Sequence, residues 1–367
     1  MSENNKKINV CVIFGGRSGE HEVSLVSANS IIKALNPEKF NITTIGITKQ
    51  GNWLIDIMPD DMSEFKNSPQ LEKKYKKTFL SPNPGDNKSY ILSNNSIIDS
   101  RSIDVVFPVL HGTFGEDGNI QGLLEICDIP YVGCRTLSSA IAMDKCVAKK
   151  LLRAAGLNIA PFLEYKRSDW QKNPDFIVTQ VEITLGYPVF VKPANSGSSV
   201  GISKANDSAS LKAALNEASR HDYKLLIESH VDGQEIEVSV MGNTNPIASV
   251  PGEIQPCNEF YDYSAKYIQK ESKLLIPAKL SSKTFTQIKQ YAIKAYEAID
   301  CSGMARVDFF IDKQSEKIII NEINTIPGFT DISMYPKLWE ASNIKYPQLV
   351  EQLIDYAFEM KNITGTL

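Results

Sequence analysis

The pattern of hydrophobic and polar positions in the first third of the chain alternates between strand-like and helix-like segments. Continuous apolar runs predict buried strands at residues 8–14, 41–48 and 104–110. Apolar residues at helical spacing predict a helix over 24–35. This alternation is typical of an open, Rossmann-like α/β sheet, whose functional loops follow the carboxyl ends of the strands. Gly15–Gly16 and His111–Gly112 both lie at such ends.

The rest of the chain changes character twice. Residues 56–102 are polar, rich in Pro and Asn and weakly periodic, so we predict a surface insertion with some helix. A helix is predicted over 138–156, and from Tyr187 onward the sequence is rich in strands. The sequence therefore predicts three α/β domains: an N-terminal Rossmann-like domain at 1–140, a central domain at 141–230 and a C-terminal domain at 231–367.

Composition and charge exclude several classes of protein. Of the 367 residues, 42% are hydrophobic and 22% are charged, and the formal net charge of −4 argues against a nucleic-acid-binding surface. No apolar run approaches the ~18 residues of a membrane span, and the N-terminus lacks the apolar core of a signal peptide. The six cysteines lack metal-binding spacing and are expected to be reduced. We therefore expect a cytoplasmic protein that binds neither nucleic acid nor membrane.

The segment VKPANSGSSVGISK combines a strand, a loop of small residues and a second strand-like piece. Gly197, Ser198, Ser199 and Gly201 would let the backbone approach an anion closely. Lys192 would add a positive charge at the end of the strand. The Walker sequence is absent, so taken alone this segment is either a phosphate-binding loop or a flexible hairpin loop.

The strongest local pattern is ARVDFFIDKQSEKIIINEINTIPG, in which two β-rich runs flank a polar hexapeptide. It predicts a hairpin centred on Ser315, in which Arg306 lies opposite Asn324. Asp308 then lies opposite Glu322 on the same face. Two carboxylates and an amide oxygen suit Mg²⁺, and the arginine suits a transferred phosphoryl group. A solvated face with cross-strand ion pairs is the alternative, which the apolar neighbours disfavour.

Other segments carry weaker patterns. Glu228 and Glu235 are ordinary loop acids when taken alone, and His111 fits a packed loop as well as a site. The stretch GEIQPCNEFYDYSAKY has the length of an active-site lid, although a surface loop gives the same pattern. In IFGGRSGEHEVS the glycines suggest a phosphate cradle, yet Glu20 and Glu22 would repel a phosphate. Glu20 would instead attract an ammonium group.

With these motifs assembled, the sequence closely resembles the D-alanine–D-alanine ligases of the ATP-grasp superfamily over essentially its full length, apart from residues 56–102. Seven motifs occur in the family's order: GGRSGEHEVS, LHGTFGEDGNIQGLLE, MDK, VKPANSGSSVGISK, EFYDYSAKY, RVDFF and NEINTIPG. The resemblance implies a three-domain ATP-grasp fold that grips ATP between the central and C-terminal domains. It also implies a lid loop at 252–275.

The resemblance implies which residues bind ATP and metal. The residues implied to bind ATP are Lys145 and Lys192 at the phosphates, Ser198 and Ser199 in the glycine-rich loop, Glu228 on the adenine side and Glu235 on the ribose side. The residues implied to bind two Mg²⁺ ions, for which Mn²⁺ could substitute, are Asp308, Glu322 and Asn324. The metal set agrees with the hairpin argument made from the residues alone.

The resemblance further implies the groups that bind the amino acids and catalyse their ligation. Glu20 would hold the ammonium of the first D-alanine beside His111, and Ser333 with Met334 would receive the carboxylate of the second. Many relatives have Ser-Leu at the latter pair, so Met334 is a mild departure of similar volume. Ser198, Tyr267 and Glu20 are implied to close the lid as a hydrogen-bonded triad. Lys266 is implied to reach the phosphoryl region. Arg306 is implied to stabilise the transferred phosphoryl group and, with the backbone N–H of Gly328, the oxyanion.

The implied reaction is the ATP-dependent formation of D-alanyl-D-alanine through a D-alanyl phosphate, for peptidoglycan precursor synthesis. The rivals are a D-alanine–D-lactate ligase, which Tyr267 disfavours, another ATP-grasp carboxylate–amine ligase, and a nucleotide-binding module without catalysis. The last would be expected to lack metal ligands or Arg306. Because the apolar face of 24–35 has no obvious partner within its own domain, we also expect a homodimer through the N-terminal domain.

Overall fold

A computed structural model of the chain describes residues 6–65, 69–197, 200–255 and 273–365. Four predicted site residues therefore lie outside the described residues: Ser198, Ser199, Lys266 and Tyr267. Most of the predicted lid lies outside them as well. Within the described ranges, no helix combines the length and the hydrophobicity that a membrane span requires.

The first part of the chain forms a seven-stranded sheet with the order β6-β5-β4-β3-β2-β1-β7. Its strands are β1 (Ile8–Gly15), β2 (Phe40–Ile47), β3 (Trp53–Ile55), β4 (Lys77–Leu80), β5 (Lys88–Ser93), β6 (Ser96–Ser102) and β7 (Val105–Val109). Strand β1 pairs in parallel with both β2 and β7, and the other neighbours are antiparallel. The three predicted strands are confirmed. Among the strands of this sheet, the parallel, Rossmann-like arrangement is confined to β1, β2 and β7.

Helices cover this sheet and lead into the next part of the chain. They are α1 (His21–Ala34), α2 (Pro59–Phe65), α3 (Pro69–Lys74), α4 (Asn119–Ile126), α5 (Thr136–Met143) and α6 (Lys145–Ala154).

The stretch 56–102 contains the predicted helix, in α2 and α3, and also three strands that the sequence pattern did not predict. Strands β4, β5 and β6 extend the first sheet outward from β3. Thr78 and Leu80 on β4 are buried, whereas Lys77 and Phe79, which alternate with them, are exposed. This alternation has a period of two, but the strands are short and partly polar, so they did not stand out among the turn-forming residues.

The single helix predicted over 138–156 is wrong, because the chain breaks at Asp144 into α5 and α6. Asp144 has an extended backbone, and its carboxylate accepts hydrogen bonds from the N–H groups of Cys146 and Val147, both at 3.1 Å. It also pairs with Lys224 from a distant strand. The predicted end of the helix is confirmed, because Gly156 follows α6 with a φ of +74°.

Replacing Asp144 by alanine is expected to lower the free energy of unfolding by about 1 kcal/mol through the lost helix cap. Asp144→Asn retains an oxygen for both N–H groups and should recover most of that loss. Thermal unfolding of the two variants measures the difference. Equal losses would assign the effect to the Lys224 ion pair and contradict the capping role.

Two further sheets follow, and all of their strand pairs are antiparallel. The second sheet has the order β10-β9-β11-β8, with strands β8 (Phe162–Lys166), β9 (Val189–Pro193), β10 (Ser203–Ala205) and β11 (Lys224–Ser229), and with helices α7 (Arg167–Lys172), α8 (Pro174–Thr184) and α9 (Ser208–His221).

The third sheet has the order β15-β14-β12-β16-β17, with β13 paired to β12. Its strands are β12 (Gly233–Met241), β13 (Ile247–Ala248), β14 (Gly252–Gln255), β15 (Lys273–Leu275), β16 (Met304–Asp312) and β17 (Ile318–Asn324), and the helices that follow β15 are α10 (Ser282–Ala298), α11 (Met334–Ala341) and α12 (Tyr346–Thr364). The change from the second sheet to the third falls between Ser229 and Gly233. The domain boundaries near 140 and 230 stay predictions.

The C-terminal helix α12 returns to the first sheet and covers α1. Leu25 and Ile31 on α1 share one buried cluster with Leu349 and Leu353 on α12 and with apolar residues of β1. The apolar face of α1 therefore has partners within the chain. The premise of the homodimer inference, that this face has no partner within its own domain, is wrong, because the face packs against β1 as well as α12.

Candidate active site

The hairpin formed by β16 and β17 brings the predicted metal residues together. Arg306 lies opposite Asn324, and Asp308 lies opposite Glu322, so both predicted pairs are confirmed. A β-bulge then shifts the register between Asp308 and Phe309, and Asn321 is the extra residue on β17. The turn is therefore not centred on Ser315, although the pairing at the site is as predicted.

Arg306 is held between two carboxylates. Its Nε and Nη2 donate to the two oxygens of Asp308, each at 2.7 Å, and its Nε lies 2.9 Å from Oε2 of Glu237. The Asn324 amide donates to Asp308 at 2.9 Å. Burial alone would lower the pKa of Arg306, but Asp308 and Glu237 outweigh that effect and raise the pKa well above its ordinary value. Arg306 is therefore a permanent, partly buried cation on a carboxylate-lined face.

The donor set on this hairpin fits a hard divalent cation that also binds a nucleotide. Among the described residues, no group of three or more His, Cys, Asp or Glu side chains is arranged to hold a metal ion. Asp308, Glu322 and the amide oxygen of Asn324 are oxygen donors, and Mg²⁺ is commonly bound by one or two carboxylates together with substrate phosphates. These residues could hold such an ion when phosphate oxygens supply the remaining ligands.

A second charged group lies on the central sheet. Glu228, at the end of β11, contacts Lys192 from β9 and also Lys149 from α6, whose Nζ lies 2.8 Å from Glu228 Oε2. Burial would raise the pKa of Glu228, but the two lysine charges outweigh burial and lower it to about 2. Sequence reasoning missed Lys149. Its position four residues after Lys145 places both lysines on one face of α6 and could have indicated it.

The start of the glycine-rich loop is tied to neighbouring elements. Lys145 Nζ donates to the Ser196 carbonyl at 2.6 Å. The backbone N–H and the side-chain amide of Asn195 both donate to Asp222, at 2.7 and 3.0 Å. These contacts fix where the loop leaves β9, and they place the Lys145 ammonium beside it.

Glu20 lies where the glycine-rich loop meets the loop after β7. A Cβ atom on Gly112 would come within 2.5 Å of Glu20 Oε2, and one on Gly197 would come within 2.8 Å. Gly112 also has a φ of +72°. A side chain at either position would displace the Glu20 carboxylate, and at Gly112 the positive φ would add backbone strain.

His111 is buried and joins three segments. Its Nδ1 lies 3.0 Å from the Ile326 carbonyl, and its Nε2 lies 3.1 Å from Ser27 Oγ on α1. Glu116, which the sequence analysis missed, approaches Nδ1 at 3.6 Å. Burial would lower the pKa of His111, but Glu116 and Glu20 outweigh burial and raise it. This histidine is packed, and it also lines the same cleft as Glu20 and Arg306.

Ser333 and Met334 lie at the start of α11. Ser333 Oγ is 2.7 Å from Thr330 Oγ1 and accepts the Thr330 N–H at 3.1 Å. Met334 is buried beside Ile254 and Leu338. A Cβ atom on Gly328 would lie 3.1 Å from Ser333 Oγ, so the predicted oxyanion and carboxylate groups are neighbours.

Two connected clefts collect every predicted site residue that the structure describes. A cleft of about 500 Å³ is lined by Glu20, His111, Lys145, Arg306, Glu322, Asn324, Gly328, Ser333 and Met334. A neighbouring cleft of about 890 Å³ is lined by Lys192, Glu228, Glu235, Asp308 and Glu322. Glu237 and Glu322 line both, so the two clefts meet at the hairpin. The roles of the individual residues stay predictions.

The architecture and the site define a class of protein. A cleft with lysines from the central sheet on one side and the Arg306 hairpin of the third sheet on the other is the arrangement of an ATP-grasp enzyme. The family model described as D-ala D-ala ligase N-terminus matches residues 9–134, and the one described as D-ala D-ala ligase C-terminus matches residues 151–355. The chain belongs to the D-alanine–D-alanine ligase family.

Full-length relatives and solved structures agree with this assignment. A D-alanine–D-alanine ligase of Acetivibrio thermocellus is 50% identical over 365 residues, which cover 97% of each chain. One of Natranaerobius thermophilus is 49% identical, covering 95% of this chain and 94% of the relative. The structure of VanG D-Ala:D-Ser ligase from Enterococcus faecalis is similar, with a TM-score of 0.84, 36% identity and coverage of 96% of this chain and 100% of that one. The D-alanine–D-alanine ligase of Coxiella burnetii has a TM-score of 0.82, 36% identity and coverage of 98% and 96%.

Proposed function

We propose that the protein joins two molecules of D-alanine into D-alanyl-D-alanine, the peptidoglycan precursor dipeptide, with conversion of ATP to ADP and phosphate. The observation that carries the proposal is the placement of Arg306 and Glu322 in the same cleft as Glu20 and His111. The carboxylate that would bind the ammonium group thereby shares one cavity with the arginine that would bind the phosphoryl group. Membership of the ligase family supports this choice of substrates.

Two Mg²⁺ ions, or Mn²⁺ in their place, belong to the proposal. Asp308, Glu322 and Asn324 would hold them, and the ions would neutralise the charge of the ATP phosphates during transfer. Lys145 and Lys192 would contact the same phosphates, while Glu228 and Glu235 would bind the nucleoside. Ser198 and Ser199 would contribute from the glycine-rich loop.

The side chains of this protein would act in two steps. Glu20 would hold the ammonium group of the first D-alanine. A carboxylate oxygen of that D-alanine would then attack the γ-phosphorus of ATP, and ADP would leave. The amine of the second D-alanine, placed by Ser333, would then attack the acyl carbon, lose a proton and expel phosphate. Arg306 and the Gly328 N–H would stabilise the oxyanion. Because water hydrolyses an acyl phosphate, the predicted lid with Tyr267 and Lys266 would exclude it.

The direct test is an assay of ADP release with D-alanine as the only amino acid. We expect release to depend on D-alanine and on a divalent cation, with D-alanyl-D-alanine as the product by mass spectrometry. Parallel reactions add D-lactate or D-serine, the latter because VanG is a D-Ala:D-Ser ligase. Mainly ester or D-alanyl-D-serine product near neutral pH would overturn the choice of second substrate.

Tyr267→Phe is expected to increase the share of D-alanyl-D-lactate formed in competition with D-alanine. The reason is that the lost hydroxyl removes one link of the proposed triad with Ser198 and Glu20, which would hold the lid closed over an amine nucleophile. The ratio of ester to dipeptide, measured at several pH values, reports the change. An unchanged ratio would contradict a gatekeeping role for this residue.

A cytoplasmic location and a homodimer complete the proposal. Cys11, Cys127, Cys134, Cys146 and Cys301 are all buried and unpaired, which supports a reducing compartment. Since α12 covers the apolar face of α1, that face gives the homodimer no support. Sedimentation equilibrium tests it, and a single monomeric species would contradict it.

A further inference from the structure

Lys149 is a buried lysine at the floor of the larger cleft, for which the proposed reaction so far has no use. Its side chain is only 2% exposed. The Nζ lies 2.8 Å from Glu228 Oε2 and donates to the Asn321 carbonyl at 3.2 Å. Asn321 is the extra residue of the bulge on β17. Lys149 therefore connects helix α6 with a strand of the second sheet and a strand of the third.

The charges around Glu228 are arranged so that it stays a carboxylate. Lys149 contacts one of its oxygens, and Lys192 contacts the other. A carboxylate offers about four lone-pair positions, so the two lysines do not exhaust the acceptor capacity of Glu228, which lines the cleft. An ionised carboxylate accepts hydrogen bonds but cannot donate one.

The walls of this cleft suit a planar ring beside Glu228. Ala160, Phe190 and Ile320 line the cleft together with Glu228 and Lys149. A base lying against such apolar walls would place its polar edge toward the carboxylate. An exocyclic amino group at that edge would donate a hydrogen bond to Glu228. A ring carbonyl there would instead face the Glu228 carboxylate, and because both groups are acceptors no hydrogen bond would form.

We propose that Lys149 is a positioning residue for nucleotide selection, which holds Glu228 as an oriented acceptor and thereby favours adenine over a 6-oxopurine. This inference rests on the proposed ATP-dependent function. Lys149 acts through Glu228 and through the bulge carbonyl, and it does not itself contact the base. The same contacts keep one net positive charge between Lys149, Lys192 and Glu228, which leaves Lys192 available for a phosphate.

The test compares the affinities of ADP and IDP, measured by calorimetry with the full-length protein. IDP carries a carbonyl where ADP carries the amino group. We expect wild-type protein to prefer ADP by about tenfold to a hundredfold, as a hydrogen bond to a charged acceptor allows. Lys149→Met should reduce this ratio to about threefold or less, by loss of ADP affinity more than of IDP affinity.

Lys150→Met is the matched control, because Lys150 is the exposed neighbour on the same helix and pairs with Glu164. It should leave the ADP-to-IDP ratio unchanged. If Lys149→Met lacks a cooperative thermal transition, Lys149→Gln replaces it. The ratio of ADP affinity to IDP affinity in that variant then tests the inference. Glu228→Gln should reduce the ratio as well, and the double variant should add little to either single change.

The outcomes separate this inference from the proposed function. Equal weakening of ADP and IDP in Lys149→Met, with the ratio unmoved, would show a structural role only and overturn the inference. A wild-type protein that binds neither nucleotide would overturn both. Nucleotide binding with a clear ADP preference that depends on Lys149 would support the inference even if the amino-acid substrates were different.

Discussion

Replacing Glu322 by glutamine is expected to reduce D-alanine-dependent ADP release about 10³-fold or more while the protein remains folded. Glu322 lies on β17 opposite Asp308 and lines both clefts, so it is the carboxylate that would bridge the two proposed metal ions. The amide keeps the size of the side chain but removes the charge that would balance the divalent cations. The loss should therefore appear in turnover rather than in stability.

Glu316→Gln provides the matched control for this change. Glu316 lies in the exposed turn of the same hairpin, away from both clefts. We expect normal ADP release from this variant, and thermal unfolding of both variants close to that of the wild type. A second measurement is the Mg²⁺ concentration for half-maximal turnover, which Glu322→Gln should raise. Near-normal turnover by Glu322→Gln would exclude a role as a bridging ligand.

The hairpin was predictable because its information is local. Alternation with a period of two, together with a polar turn, determines which residues share a face. The observed pairing of Arg306 with Asn324 and of Asp308 with Glu322 agrees with that prediction. The bulge at Asp308 and Phe309 was not predictable in this way. Lys149 and Asn158 form hydrogen bonds to the bulged strand from elsewhere in the chain, and an alternation pattern contains no information about them.

The features that sequence reasoning missed share this dependence on distant partners. The helix break at Asp144 is coupled to Lys224, which lies 80 residues away. The packing of α12 on α1 was not predictable because α12 comes from the opposite end of the chain. Glu237 reads as an ordinary strand residue until the third sheet places it beside Arg306. Patterns report which face a residue occupies, whereas contacts across sheets follow only from the assembled fold.

Replacing Arg306 by methionine is expected to reduce ADP release by about 10³-fold to 10⁵-fold, the range found for arginines that stabilise a transferred phosphoryl group. Arg306→Lys should recover only a small part of this loss. Lysine keeps the charge but lacks the planar fork that contacts both oxygens of Asp308. Single-turnover measurement of ADP formation would show whether the first chemical step is affected.

The stability of the same variant gives an independent readout. Without the guanidinium, the buried carboxylates of Asp308 and Glu237 lose the positive charge that now contacts both of them, which costs about 3 kcal/mol. Mg²⁺ should restore part of this loss in Arg306→Met, because a bound cation supplies the missing charge to Asp308. Arg220→Met, at an exposed ion pair with Glu217, should show neither the loss nor the Mg²⁺ response. An Arg306→Met protein with wild-type stability and no Mg²⁺ response would contradict the placement of Arg306 between the metal-binding carboxylates and the phosphoryl group.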